Sequence, residues 1–278
     1  MNIVISDLDG TLLDMQTYSF EAARPALAAL REKNVPLILC TSKTRAEVEM
    51  WRERLEVHHP FIVENGGAIY IPAGYFTFPP DRAVKRDGYD VVEFGRPYAE
   101  LVHCLREAAT ESRCSVIGFH DMTVAEISRR ASLPEDQAEL AKRREYDEPF
   151  EIQGSSTGKL LSAIGRRGKS WTRGNRFYHC TGANDKGVAV EYVREMYRRA
   201  FGTVHTIGVG DGHNDAKFLK TVNAPIVIRS RFAVALKVAE PRCRVTRAPG
   251  PEGWNEAILP LVDAADRQRD SACSRMSM

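Results

Sequence analysis

Five short apolar runs punctuate the chain, at Asn2 to Ser6, Pro36 to Cys40, Phe61 to Val63, Val204 to Val209 and Pro225 to Ile228. Each is too short for a buried helix and is followed by polar or glycine-containing residues, so each predicts a buried strand. Helix-period segments alternate with them. Between the first two runs, Ala26, Leu27 and Leu30 share one face of a helix predicted from about Phe20 to Lys33, with Pro25 tolerated near its start. After the second run, Thr44 and Glu47 form a capping-box pair ahead of the stripe Val48, Trp51 and Leu55. After Gly182, Val188, Tyr192, Val193 and Met196 mark a third helix. Strand and helix in alternation predict an α/β fold with a Rossmann-like parallel sheet and helices on its faces.

The pattern changes between about Phe78 and Phe177. Helix-like stretches at Tyr98 to Ser112 and Leu133 to Arg143 lie among short strand-like pieces such as Cys114 to Phe119. The expected organisation is a discontinuous core, 1–78 and 178–263, with an inserted α/β cap at 79–177 and a polar tail at 264–278. Asn65-Gly66-Gly67 is read as a turn into a hairpin arm, or equally as a loop offering amide groups to a ligand.

In parallel sheets, ligands bind outside the carboxyl ends of the strands. Those ends carry Asp7 and Asp9 in "DLDGT", then Thr41 and Ser42, then Lys186 at a helix start, then Asp211, Asn214 and Asp215 in "GDGHND". Asp-Gly is also ordinary turn chemistry, and Asn214 or Asp215 also suits a helix N-cap. The chemical reading makes an aspartate a nucleophile toward phosphorus and the second carboxylate an acid and base. Carboxylates repel a phosphate, which calls for a divalent cation; Mg²⁺ suits hard oxygen ligands such as Asp7, Asp211 and the Asp9 carbonyl. Thr41 beside a helix N-terminus is placed to meet a phosphate oxygen. A lysine in a first helical turn opposes the macrodipole unless an anion lies opposite it.

Composition narrows the rest. The 278 residues carry 39 basic and 37 acidic side chains, a net charge of +2 that argues against a nucleic-acid partner. No apolar run approaches the ~18 residues of a membrane span, and no signal-peptide pattern opens the chain. The six cysteines show no CxxC spacing and read as reduced thiols, so the expected location is the cytoplasm. Nothing in the sequence fixes an oligomeric state.

Asp7-x-Asp9-Gly10-Thr11, Thr41, Lys186 and Gly210-Asp211-x-x-Asn214-Asp215 resemble the four motifs of the haloacid dehalogenase-like (HAD) phosphohydrolases. That resemblance implies a HAD-like core with a Cof-type cap, Asp7 as nucleophile, Asp9 as general acid and base, Thr41 and Lys186 as phosphate ligands and Asp211 as a metal ligand. Asn214 and Asp215 then support the metal or Lys186. Longer phrases, "TSKTRAEVE", "ENGGAIYIP", "REYDEPF", "RFYHCTGANDKGVAV" and "GPEGWNEAIL", are similar to the mannosyl-3-phosphoglycerate phosphatases. The implied reaction is hydrolysis of a small phosphorylated sugar acid; another sugar phosphate (glucosyl-3-phosphoglycerate, sucrose or trehalose phosphate) and a phosphosugar mutase are the rivals. A substrate with a second anionic group calls for further contacts. The candidates are Ser42, Lys43, Asn65, Gly66, Asn184 and, from the cap, Arg143 and Arg176, with Arg144 and Arg173 beside them. Lys43 could instead cap its own loop.

Overall fold

The structure, a computed structural model, describes residues 1–154 and 156–262. Its first part runs β1 (Asn2–Ser6), α1 (Arg24–Glu32), β2 (Leu37–Cys40), α2 (Arg45–Leu55), β3 (Phe61–Val63), β4 (Ala68–Pro72), β5 (Val84–Arg86) and β6 (Tyr89–Glu93). The insertion follows as α3 (Tyr98–Ser112), β7 (Ser115–Gly118), α4 (Val124–Ala131), α5 (Glu135–Ala141), β8 (Asp147–Gln153), α6 (Thr157–Arg166), β9 (Ser170–Arg173) and β10 (Tyr178–Thr181). The chain then returns with α7 (Lys186–Phe201), β11 (His205–Gly210), α8 (Ala216–Thr221), β12 (Ala224–Val227), α9 (Ala233–Ala239) and β13 (Arg244–Val245), and closes with a helical stretch over 250–262, α10.

Nine strands form one sheet in the order β13-β12-β11-β1-β2-β3-β4-β6-β5. From β13 to β3 the neighbours are parallel, and β4, β6 and β5 continue the sheet antiparallel. Alternation along β1 serves both faces: Ile3 and Ile5 pack with Val190, Val193 and Tyr197 of α7, and Val4 with the side of α1, α2 and α10. Each such side chain, fully buried, contributes about 1.5–3 kcal/mol. Trp254 of α10 is fully buried and donates its indole N–H to the Ser6 hydroxyl at 2.9 Å, fastening α10 beneath β1. Strand order leaves β1 in opposite directions toward β2 and β11, so the switch point of the sheet lies between β1 and β11.

The insertion has its own antiparallel sheet, β7-β8-β10-β9, backed by α3 and α6 through Leu101, Leu105, Leu160 and Ile164. Two boundaries expected from sequence are corrected. Strands β5 and β6, assigned to the cap by the 79–177 boundary, belong to the large sheet, β6 pairing with β4 and β5 with β6; β10, assigned to the core, pairs with β8 and β9. The cap therefore runs from α3 to β10. The predicted helix at Leu133 to Arg143 is α5, shorter at both ends, and α4 precedes it with its own Thr123–Glu126 capping box. The hairpin after Phe61 to Val63 and the Thr44 capping box appear as expected. The expected tail, 264–278, lies outside the described residues. None of the described helices is long and apolar enough to cross a membrane.

Candidate active site

Asp7 leaves β1 and Asp211 leaves β11, so the switch point brings two acidic loops together although they are far apart in sequence. Gly10 makes the close approach possible: its φ is +81°, and a Cβ there would lie 2.6 Å from Asp211 Oδ2. Asp7, Asp211 and Asp215 each place a carboxylate oxygen within 4.8 Å of the others. Lys186 at the start of α7 is 1% exposed and donates to Asp7 Oδ1 at 2.6 Å and Asp215 Oδ1 at 2.7 Å. Burial alone would lower the lysine's pKa, but Asp215 and Asp7 outweigh it and hold the ammonium charged. The cation placed against the macrodipole thus has its anions.

Asp215 uses Oδ2 to accept the backbone N–H groups of Asp211 at 2.9 Å and Gly212 at 2.8 Å. It orients the loop and Lys186. Asp211 accepts from the Thr11 hydroxyl at 3.3 Å and from Asn175 Nδ2, on the β9–β10 turn of the cap, at 3.0 Å. Loss of water, then the repulsion of neighbouring carboxylates, raises the pKa of Asp211; Asp7 is raised for the same reasons, with Lys186 opposing. Three buried carboxylates against one ammonium form a donor set of hard oxygens short of positive charge, which fits a divalent cation.

Asp9 stands apart from this group. Its Oδ2 lies 3.0 Å from Lys43 Nζ, and its Oδ1 is buried with no hydrogen-bond partner among the described residues. Lys43 is itself 4% exposed, is paired also with Glu47 at 3.4 Å, and lies over the Tyr18 ring. Burial would lower its pKa, but Asp9 and Glu47 more than restore it.

Above these groups lies a cavity between core and cap, partly open to solvent. Asp7, Asp9, Ser42, Lys43, Asp211 and Asn214 line it from the core, and Arg144, Asn175, Arg176 and His179 from the cap. Lys186 and Asp215 lie beneath it. Thr41 is fully buried behind it, its hydroxyl accepting the Lys43 N–H at 3.2 Å. Arg144 donates to the carbonyls of Ser42 at 2.7 Å and Ala141 at 2.9 Å; Arg176 donates to the Met15 carbonyl at 2.6 Å and the Ser132 hydroxyl at 2.8 Å.

Several residues expected to contact the substrate do not line this cavity. Arg143 is exposed and paired with Glu139 on its own helix side, away from the cavity; its neighbour Arg144 points inward instead. Arg173 is exposed over the Tyr178 ring. Gly66 packs against the Asp185 backbone and does not line the cavity. Asn65 is 2% exposed with its side chain between other side chains: it donates to Asp147 Oδ2 at 2.6 Å and accepts from Asn214 Nδ2 at 3.0 Å. Asn184 donates to the Asn65 carbonyl at 3.4 Å and lines a separate cleft with Lys186 and Asn214. Asn175 has no signal in the sequence beyond its polarity, and His179 and Asp147 lie within the phrases RFYHCTGANDKGVAV and REYDEPF without standing out there.

The model of the haloacid dehalogenase-like hydrolases matches residues 4–241. A glucosyl-3-phosphoglycerate/mannosyl-3-phosphoglycerate phosphatase of Methanococcoides burtonii is 41% identical over 266 residues, covering 94% of this chain and 97% of its own. The mannosyl-3-phosphoglycerate phosphatase of Pyrococcus furiosus is 38% identical over 228 residues, 82% of this chain and 91% of its own. Among solved structures, the sucrose-phosphatase of Synechocystis with sucrose and phosphate bound aligns at a TM-score of 0.61 and 14% identity, covering 94% of this chain and 97% of that one, a likeness of fold.

Proposed function

This chain belongs to the haloacid dehalogenase-like hydrolases, and from that premise we propose that it is a Mg²⁺-dependent phosphomonoesterase hydrolysing mannosyl-3-phosphoglycerate to mannosylglycerate and phosphate, with the glucosyl ester as the alternative substrate. The observation that carries the chemistry is Asp7 at the switch point, its carboxylate 2.6 Å from the buried Lys186 and facing a capped cavity. The substrate follows the relatives, whose likeness spans core and cap. A phosphorylated sugar acid handled this way belongs in the cytoplasm.

In the first step an Asp7 oxygen attacks phosphorus, the bond from phosphorus to the glycerate oxygen breaks, and Asp9 gives that oxygen a proton. The unpartnered Asp9 Oδ1 is the atom free for this transfer, because Oδ2 is held by Lys43. In the second step Asp9 takes a proton from water, whose oxygen attacks the aspartyl-phosphate; phosphate leaves and the Asp7 carboxylate is restored. Lys186 balances charge at Asp7 throughout, and Asp215 fixes its position. Asp7, Asp211 and the Asp9 carbonyl would hold Mg²⁺, which would supply the positive charge that lets a phosphate approach these carboxylates. Thr41, Ser42 and Asn214 complete the phosphate and metal surroundings, and Arg144 and Arg176 meet the rest of the substrate.

Phosphate release is measured across phosphorylated sugars and sugar acids, with Mg²⁺ and with EDTA, beside Asp7→Asn. The expected result is a lead of tenfold or more for mannosyl-3-phosphoglycerate, with turnover abolished by EDTA and by the substitution. Turnover that survives EDTA or Asp7→Asn overturns the mechanism; another leading ester overturns the substrate alone.

A further inference from the structure

The cap wall of the cavity contains a pair that the mechanism above does not use. His179 on β10 is 5% exposed, and its Nδ1 lies 2.9 Å from Asp147 Oδ1 and 3.0 Å from Oδ2; Asp147, at the start of β8, is fully buried. A carboxylate at Nδ1 accepts that nitrogen's hydrogen and so fixes the ring's orientation. Nε2 is then the atom left for a ligand. It faces Gly174, which also lines the cavity, and a Cβ at 174 would stand 3.0 Å from it. The glycine keeps the approach to Nε2 clear.

The orientation depends on the core as well. Asp147 Oδ2 accepts from Asn65 Nδ2 at 2.6 Å, and Asn65 Oδ1 accepts from Asn214 Nδ2 at 3.0 Å. Asn65 is held in place by its own N–H to the Thr41 carbonyl at 3.0 Å. Glu64 and Asn65 both have left-handed backbone, φ +47° and +56°, a costly conformation for consecutive non-glycine residues. The surrounding bonds enforce it, and the result is one chain of hydrogen bonds from the roof of the cavity to the loop of Asp211.

We propose that His179, aimed by Asp147 and given access by Gly174, is a specificity residue that binds an oxygen of the group left behind when phosphate is removed, and that Asn65 couples this contact to the catalytic loop. The inference rests on the reading of the cavity as a phosphatase site for an oxygen-rich ester. Its ligand is a hydroxyl that donates to Nε2 of the neutral ring, or a carboxylate that accepts from Nε2–H of the imidazolium.

The test compares the leading ester of the substrate panel with para-nitrophenyl phosphate, whose leaving group lacks such oxygens, in His179→Ala, His179→Gln and Gly174→Ala. The expected result is a KM for the leading ester raised at least tenfold more than that for para-nitrophenyl phosphate in His179→Ala and Gly174→Ala, with partial recovery in His179→Gln. Gly174 has no left-handed φ, so Gly174→Ala carries the test if His179→Ala fails to fold. Equal losses on both substrates, or no loss on the leading ester, overturn the proposal. Phosphoglycerate without the sugar and a glycosyl glycerol phosphate without the carboxylate identify the oxygen: the penalty disappears with whichever substrate lacks it. A panel led by an ester other than mannosyl-3-phosphoglycerate refutes the substrate assignment and leaves this comparison intact.

Discussion

The floor and the roof of the cavity hold their charges in opposite ways. On the floor, charged groups face one another: Lys186 bonds two carboxylates, and Lys43 lies between Asp9 and Glu47. On the roof, Arg144 and Arg176 are held by carbonyl and hydroxyl oxygens, which orient a guanidinium without neutralising it. The floor is therefore a set of mutually dependent ions, suited to chemistry in which charge moves. The roof keeps positive charge available for an anionic substrate. Adjacent arginines show the same distinction: Arg143 is paired with Glu139 in solvent, and Arg144 reaches across to the Ser42 carbonyl.

The strongest test of the floor is Lys186→Met, which leaves Asp7 and Asp215 buried without their cation. Breaking such a pair costs about 3–5 kcal/mol, and turnover should fall by ~10⁴-fold or more; denaturant titration and single-turnover kinetics read the two effects. Retained stability would mean that the floor is not an interdependent ion cluster. Lys43→Met should be milder, since Asp9 is partly exposed and can regain water: about 2 kcal/mol of stability and ~10²-fold in kcat.

A third test lies at the seam between the two regions. Glu64 is fully buried and accepts the N–H groups of Glu145 and Tyr146, and loss of water, opposed by Arg144, pushes its pKa up to about 8 from an ordinary 4.5. An acid whose folded pKa is raised stabilises the fold fully below its unfolded value, and that contribution is lost as pH rises through the folded value. The wild-type protein should therefore lose stability relative to Glu64→Gln between about pH 4.5 and 8, by on the order of 5 kcal/mol, as read by melting across that range. A difference that does not change with pH would show Glu64 ionised in the folded protein throughout.

On the roof, Arg144→Ala should raise KM for the sugar-acid ester by ~10-fold, about 1.4 kcal/mol, and loosen the contact between cap and core. Arg143→Ala should change neither KM nor stability beyond ~0.5 kcal/mol. Equal effects from the two neighbours would erase the distinction drawn between them.

What could be read in the sequence divides along the same line. Most of the floor is legible because Asp7, Asp9 and Asp211 follow buried apolar runs, and the end of a parallel strand has only one place to point. Lys186 follows β10, an antiparallel strand of the cap sheet, and its signal is instead a cation in a first helical turn, which needs an anion opposite it; the Thr44 capping box places α2. The roof was not legible because its arrangement is tertiary. Two successive arginines look alike until α5 ends and turns one of them inward. Val84 to Arg86 is too polar and short to declare itself an edge strand of the main sheet, so the cap boundary was set too early. Asn65 looked like a turn residue because its partners, Asp147 and Asn214, are 82 and 149 residues away.

The central position of β1 bears on how the chain is made. Asn2 pairs with His205, and Asp7 meets Lys186 179 residues later, whereas every strand of the cap sheet lies between Ser115 and Thr181. During synthesis the cap can complete its sheet while β1 still waits for the partner on one side. Asp7 is thus made well before Lys186 and β11, and its surroundings are complete only once both have been made. Ribosome-bound chains stopped before His205 should carry a protease-resistant cap beside a β1 edge still open to cleavage, so no active enzyme exists until β11 has been made.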